Sequence, residues 1–155
     1  MKTILKIGAK ELETVCEKVN PILDTNYKEI ITELKDTLKG KYFRPAGYGL
    51  ASNQIGYNKC CIAICPTLIS KEIKILINPK IVNHGRQIVE DNERCMSQPG
   101  VTAKINRYRV INVEYSDEKW TPHIETFKGL PARIIQHELA HLNGLNCLEN
   151  RLETE

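Results

Sequence analysis

No stretch of this sequence stays apolar long enough to cross a membrane as a helix, and residues 1–18 mix charged and apolar side chains where a secretory signal needs an unbroken hydrophobic run. Neither sign of charge dominates: 22 Lys and Arg stand against 19 Asp and Glu, and the formal +3 is too small and too dispersed to argue for nucleic-acid or membrane binding. Internal repeats, low-complexity tracts and linkers are also missing. These absences lead us to expect a cytoplasmic protein with no direct nucleic-acid or membrane partner. Without a secretory signal, the six cysteines (Cys16, Cys60, Cys61, Cys65, Cys95 and Cys147) read as thiols or ligands and not as a disulfide framework. A chain of 155 residues, 41% hydrophobic, has room for one core and not two, so a single domain over residues 1–155 is expected.

Hydrophobic periodicity predicts an amphipathic helix from about Thr25 to Lys39, with Tyr27, Ile30, Ile31, Leu34 and Leu38 on one face, Asp24 or Thr25 as cap and Gly40 as stop. A Gly- and Pro-rich loop follows, Arg44 to Gly49, then short β-prone runs at Lys59–Cys65, Ile73–Asn78, Ile81–His84 and Tyr108–Tyr115. Cys61, Ala63 and Cys65 alternate on one strand face and suit a core, while the isolated His84 and His123 suit surface or turn positions. A last helix starts near Pro131, where a missing N–H costs nothing, and runs to about Leu142. The expected architecture is α+β: short antiparallel or mixed strands packed around a central C-terminal metal-binding helix, with an N-terminal amphipathic helix.

The chemistry is concentrated on that last helix. In His137-Glu138-Leu139-Ala140-His141 the two imidazoles lie four residues apart, on one helical face, close enough to share a divalent ion. Glu138 can reach a water held by such an ion, take its proton and pass it to a leaving nitrogen, which is the apparatus of amide hydrolysis. The HExxH pattern also arises by chance on surface helices. Here Ile134, Ile135, Leu139 and Leu142 make the helix apolar on more than one side, and buried imidazoles beside a carboxylate need a partner.

A catalytic site of this type needs a third protein ligand, and the residues leave several open. Cys147 stands where the extended metzincin protease motif has its third histidine, but too few residues follow for the methionine-containing turn of those proteases. Glu149, Glu153 and Glu155 would serve as a thermolysin-like carboxylate ligand, on a tail with little to fix it. Cys95 lies in Glu93-Arg94-Cys95-Met96-Ser97-Gln98-Pro99-Gly100, among polar and turn-forming residues unlike those around a structural thiol. A thiolate with two imidazoles suits iron(II) or zinc.

With these segments in order, the chain resembles peptide deformylase. The family's GxGLAxxQ segment corresponds to Gly47-Tyr48-Gly49-Leu50-Ala51-Ser52-Asn53-Gln54, its Glu-Gly-Cys-Leu-Ser to Glu93-Arg94-Cys95-Met96-Ser97, and its Gln-His-Glu-x-Asp-His to Gln136-His137-Glu138-Leu139-Ala140-His141. Weaker similarity runs through Ile4–Val19, Ile77-Asn78-Pro79 and Gly129-Leu130-Pro131-Ala132-Arg133.

The resemblance implies that Cys95, His137 and His141 bind the metal, Fe2+ with Zn2+ or another divalent ion as substitutes, and that Glu138 is the general acid/base. It implies that Gln54 and the backbone N–H of Met96 stabilise the oxyanion, as donors aimed at developing charge. Its substrate is the N-formylmethionyl end of a peptide or nascent chain, from which formate is released, with transient ribosome association. Gly47 and Gly49 would let the backbone approach that substrate. Tyr48, Leu50, Leu130 and Ile134 are the remaining pocket residues, with Glu93 near the rim.

Three positions depart from the pattern: Arg94 for glycine, Met96 for leucine and Ala140 for aspartate. Met for Leu conserves volume. The missing carboxylate at Ala140 takes a partner from a nearby arginine, with Arg107 the candidate, and Arg94 would narrow the substrate groove or bind a substrate carboxylate. Two other readings use the same residues: a zinc metalloprotease with Cys147 or a tail glutamate as third ligand, and a non-catalytic homologue that binds peptides or the ribosome.

Overall fold

The computed structural model describes residues 1–41, 48–67 and 72–152. Its elements are α1 (Tyr27–Lys41), β1 (Gly49–Ala51), β2 (Cys61–Ile64), β3 (Lys74–His84), β4 (Ile88–Cys95), β5 (Gln98–Tyr108), β6 (Val110–Ser116), β7 (Pro122–Lys128) and α2 (Leu130–Leu142), with short 3-10 turns at Lys10–Glu13 and Ser52–Ile55. β1, β2, β3, β6 and β7 form a five-stranded sheet in the order β1-β2-β3-β6-β7, and β4 and β5 form a separate hairpin. All these pairings are antiparallel. The one parallel contact among the described residues is an isolated bridge between Glu17 and Lys59.

Helix α1 buries Ile30, Ile31, Leu34 and Leu38, the face its spacing predicts. It starts two residues later than Thr25. Asp24 Oδ2 accepts the Asn20 N–H at 2.7 Å and its carboxylate pairs with Lys59 at 2.9 Å, closing the turn before the helix.

Strand β2 explains how the two helices share one sheet. Cys61 and Ala63 face the α1 side with Leu50, Ile75 and Ile77, while Ile62 and Ile64 face the α2 side with Leu76, Val113 and Ile135. A strand buried on both faces reads as a continuous apolar run, and Cys-Ile-Ala-Ile is one. Leu34 and Ile135 are both fully buried, so truncating either to alanine should cost about 2–5 kcal/mol.

The two runs expected at Ile73–Asn78 and Ile81–His84 are one strand, β3, with a register slip between Ile77 and Lys80. Asn78 adopts φ 52°, a conformation asparagine tolerates better than most residues, and its amide bonds Val19 N and O at 2.8 and 3.0 Å. Pro79 sits inside this slip, where no ladder N–H is needed.

Helix α2 lies across the sheet face opposite α1. Pro131 falls in its first turn, and residues Ile134 to Leu142 are all buried. Gln136 locks its orientation: its Oε1 accepts the Tyr108 N–H at 3.0 Å while its Nε2 donates to Tyr108 O at 2.9 Å. The face carrying His137 and His141 is thereby aimed at the β4–β5 hairpin. Among the described residues no helix is long and apolar enough to cross a membrane.

Candidate metal centre and substrate cleft

One turn of α2 separates His137 from His141, and their ring centroids lie 5.4 Å apart. The hairpin supplies the sulfur. Side chains alternate along β4, so Glu93 and Cys95 are buried while Arg94 between them is exposed. A register slip between Glu93 and Cys95 and the turn at Met96 and Ser97 bring the thiol to within 3.2 Å of His141 Nε2. Cys147, just past the end of α2, places its own sulfur 3.3 Å from the same nitrogen. The ligand atoms of Cys95, His137, His141 and Cys147 all lie within 4.8 Å of one another, and all four residues are buried.

Glu93 ties this cluster to the hairpin. Its Oε1 meets His137 Nδ1 at 2.8 Å, leaving Nε2 as the ring nitrogen available to the cluster. The same carboxylate takes two bonds of 2.9 Å from Arg107 and one of 2.6 Å from Arg133. Arg107 is itself buried, and its Nη2 also donates to Cys147 O at 3.0 Å. Burial pushes the Glu93 carboxyl up, but Arg107 and His137 outweigh it and hold it at about 2. Arg107 therefore has a partner despite the alanine at position 140.

The thiols are electrostatically distinct from ordinary buried cysteines. The hydrogen bond from Cys147 pushes Cys95 far below the usual thiol range, against burial and with help from His137 and His141. Cys147 moves upward through that same bond and burial. Burial would lower His137, but Cys95 and Glu93 raise it to about 10. By contrast Cys16, outside the cluster, is pushed up to about 12, chiefly by burial. The Ser97 N–H points at Cys95 Sγ at 3.4 Å, as a thiolate acceptor favours.

A cleft of about 280 Å³ opens beside the cluster, lined by Tyr48, Gly49, Gln54, Met96, Leu130 and Ile134 along with Glu93, Arg94, His137 and Glu138. Glu138 Oε2 is buried without a hydrogen-bond partner, and burial pushes this carboxyl up to about 6 against the pull of His137 and His141. Gln54 is fixed in its 3-10 turn, its Oε1 accepting the Ala51 N–H at 2.9 Å and its Nε2 donating to Ser97 Oγ at 3.0 Å. A Cβ on Gly49 would stand 2.6 Å from Ile134 Cγ2 and 2.7 Å from Glu138 Oε1, so only glycine lets β1 pass this close to α2.

Several expectations need revision at this point. Leu50 does not face the cleft: strand alternation turns it into the α1-side core, where it is fully buried. Glu93 lines the cleft, but as a buried anion held by two arginines and not as a free rim group. Arg94 lies on the opposite face of β4 from Cys95 and donates to Thr102 Oγ1 at 3.0 Å, so it borders the cleft without entering the cluster. Gly47, Glu153 and Glu155 lie outside the described residues, and Glu149 is exposed and paired with Arg151. Reading the sequence missed Ser97 and the link from Glu93 to His137. The second had no local signal, because Ile88 to Arg94 is mostly exposed and polar and does not read as a strand.

The donor set fits a divalent ion. Sulfur and imidazole ligands at tetrahedral positions around a metal stand about 3.5 Å apart, close to the 3.2 and 3.3 Å seen here. Soft thiolate and neutral imidazole are the donors of zinc and iron sites, and no carboxylate is needed to complete the cluster.

The family model described as "Polypeptide deformylase" matches residues 1–154. A peptide deformylase of Picosynechococcus sp. is 36% identical over 151 residues, which span 96% of this chain and 78% of that protein. Among solved structures, a deformylase from a Vibrio parahaemolyticus bacteriophage in complex with actinonin shares 35% identity at a TM-score of 0.81, covering 94% of this chain and 99% of that one. Peptide deformylase from Thermotoga maritima superposes at a TM-score of 0.86 with 27% identity, covering 99% of both chains.

Proposed function

Because this chain belongs to the peptide deformylase family, whose members remove the N-formyl group from new polypeptides, we propose that Cys95, His137 and His141 hold its divalent metal and that Glu138 moves the proton. The observation that supports this most is the convergence of these ligand atoms beside an unpartnered, buried Glu138 oxygen. The ion, when bound, supplies Lewis acidity that activates water at neutral pH.

The chain's own residues do the rest. Glu138 accepts a proton from the attacking water and delivers it to the amide nitrogen, so that formyl-peptide and water become formate and a free amino terminus. Burial pushes this carboxyl upward, toward the range in which a group can both take and give a proton. Gln54 Nε2 and the Met96 backbone N–H serve as donors to the oxygen of the formyl group as it gains charge. Glu93 holds His137 in the tautomer that offers Nε2. Tyr48, Leu130 and Ile134 form the apolar wall that receives the methionine side chain, and Gly49 lets the peptide approach the backbone.

We assign Fe2+ as the working ion, with Zn2+ accepted by the same donors, and place the enzyme in the cytoplasm, acting on nascent chains in transient contact with the ribosome. The test is formate release from a formyl-Met tripeptide by anaerobically iron-loaded protein. Glu138→Ala should retain metal and lose about 10²- to 10⁴-fold in turnover, while Cys95→Ala should weaken metal binding and activity together. No release by the loaded protein, or undiminished release by Glu138→Ala, would overturn the proposal.

A further inference from the structure

The cluster contains one more sulfur than the reading above uses. That reading needs Cys95, His137 and His141, yet Cys147 Sγ lies at 3.3 Å from His141 Nε2, matching the 3.2 Å of Cys95. Resting on that assignment, we propose that Cys147 is a second thiolate donor, so that the resting metal site of this chain has four protein ligands, two sulfurs and two imidazoles.

Three independent anchors hold Cys147 in place. Gly144 turns the chain after α2 with φ 68°, and its Cα presses so closely on the backbone of Glu13 that a Cβ there would stand 2.9 Å from it. Asn146 Oδ1 accepts from Gln98 Nε2 at 2.7 Å and from Leu148 N at 3.0 Å, tying the segment to the residue paired with Cys95 across the hairpin. Arg107, already bound to Glu93, grips the Cys147 carbonyl. One arginine thus braces the partner of His137 and the backbone of Cys147 together.

The surroundings leave room for a second sulfur donor, and a bound cation would itself favour the thiolate. Cys147 is 1% exposed and packs with Cys95 and Ala140 in a small cluster of their own. Ala140 offers only a methyl group there and leaves room for both sulfurs. Two thiolates and two imidazoles make the donor set of closed, tetrahedral zinc sites, whereas a hydrolytic site keeps one position for water. Hydrolysis at such a site would require Cys147 to leave or the ion to accept a fifth ligand.

Cobalt(II) reports the sulfur count directly, because thiolate-to-cobalt charge-transfer absorption in the near ultraviolet grows with the number of thiolates bound. The full chain would be loaded with Co2+ alongside its Cys147→Ser and Cys95→Ser variants. If the proposal is right, wild type absorbs about twofold more strongly than either variant, and Cys147→Ser holds the ion at least about 10-fold more weakly in chelator competition. Equal bands in wild type and Cys147→Ser, with the band lost in Cys95→Ser, would overturn the second donor while leaving the three-ligand assignment standing. No thiolate band in any of the three proteins would overturn both. X-ray absorption on zinc-loaded wild type needs no variant: a shell of two sulfurs at about 2.3 Å supports the proposal, and one sulfur refutes it.

Discussion

Glu93→Gln strikes the buried ion network at its centre. The substitution keeps the side chain's shape but removes the charge that two arginines and His137 share. Arg107 then remains buried at 1% exposure without a counter-ion, a situation that costs about 3–5 kcal/mol. A second route gives a similar figure: a carboxyl held at about 2 instead of its ordinary 4.5 contributes roughly 3 kcal/mol to folding. Against a total stability of roughly 5–15 kcal/mol, and with each kcal/mol worth about 2–4 °C in a chain of this length, the melting temperature should fall by roughly 10 °C.

Urea unfolding of the metal-free, reduced protein measures this, provided the slope m is unchanged. The sign with pH is fixed by the lowered carboxyl. Its contribution is fully present above about 4.5 and is lost as pH falls toward 2, so the gap between wild type and Glu93→Gln should close in acid. Adding Arg107→Met to Glu93→Gln should recover part of the loss, because the uncompensated cation is then gone. A loss under about 1 kcal/mol at neutral pH would refute the view that this network supports the site.

Three further outcomes are expected. Gly49→Ala should leave the metal content unchanged and lower kcat, because its Cβ meets Glu138 Oε1 and displaces the proton carrier; steady-state kinetics beside metal analysis would show it. Gln54→Leu should reduce kcat by about 10²- to 10³-fold with little change in KM, as removal of one oxyanion donor does, and a large rise in KM with unchanged kcat would count against that role. Arg94→Ala should alter the preference among formyl-Met peptides at their later residues while sparing metal affinity, since Arg94 borders the cleft on the face of β4 away from Cys95; competition between peptide substrates measures the change.

Local rules made the metal helix legible. An i, i+4 histidine pair on an apolar segment states its own geometry, and α1 was equally plain from its 3.6-residue period. Cys95 could be picked out because it sits among turn formers and in order with the other two segments. The β4–β5 hairpin was not legible as strands, because Ile88 to Arg94 is mostly exposed and polar and shows little alternation to read. With that hairpin unseen, the partnership of Glu93 with His137, 44 residues away, had no basis in spacing. The single strand β3 was split in two by Asn78 and Pro79, whose bulge is held by Val19 from a distant part of the chain. Leu50 was misplaced for a simpler reason: a motif names consecutive residues, but a strand turns alternate ones away.

The segment Leu5–Cys16 stitches the site's pieces together: Leu5 N donates to Gln54 O, Ile7 N to Ser97 O and Cys16 N to Leu142 O, at 2.8, 2.9 and 2.8 Å. These residues thus wait for partners made after them, and Cys147 is made later still. During its own synthesis a growing copy has no finished pocket in which to hold a metal, and long-range closure of this kind is a slow step in folding. The pocket can therefore close only after Gln54, Ser97 and Leu142 have all been made.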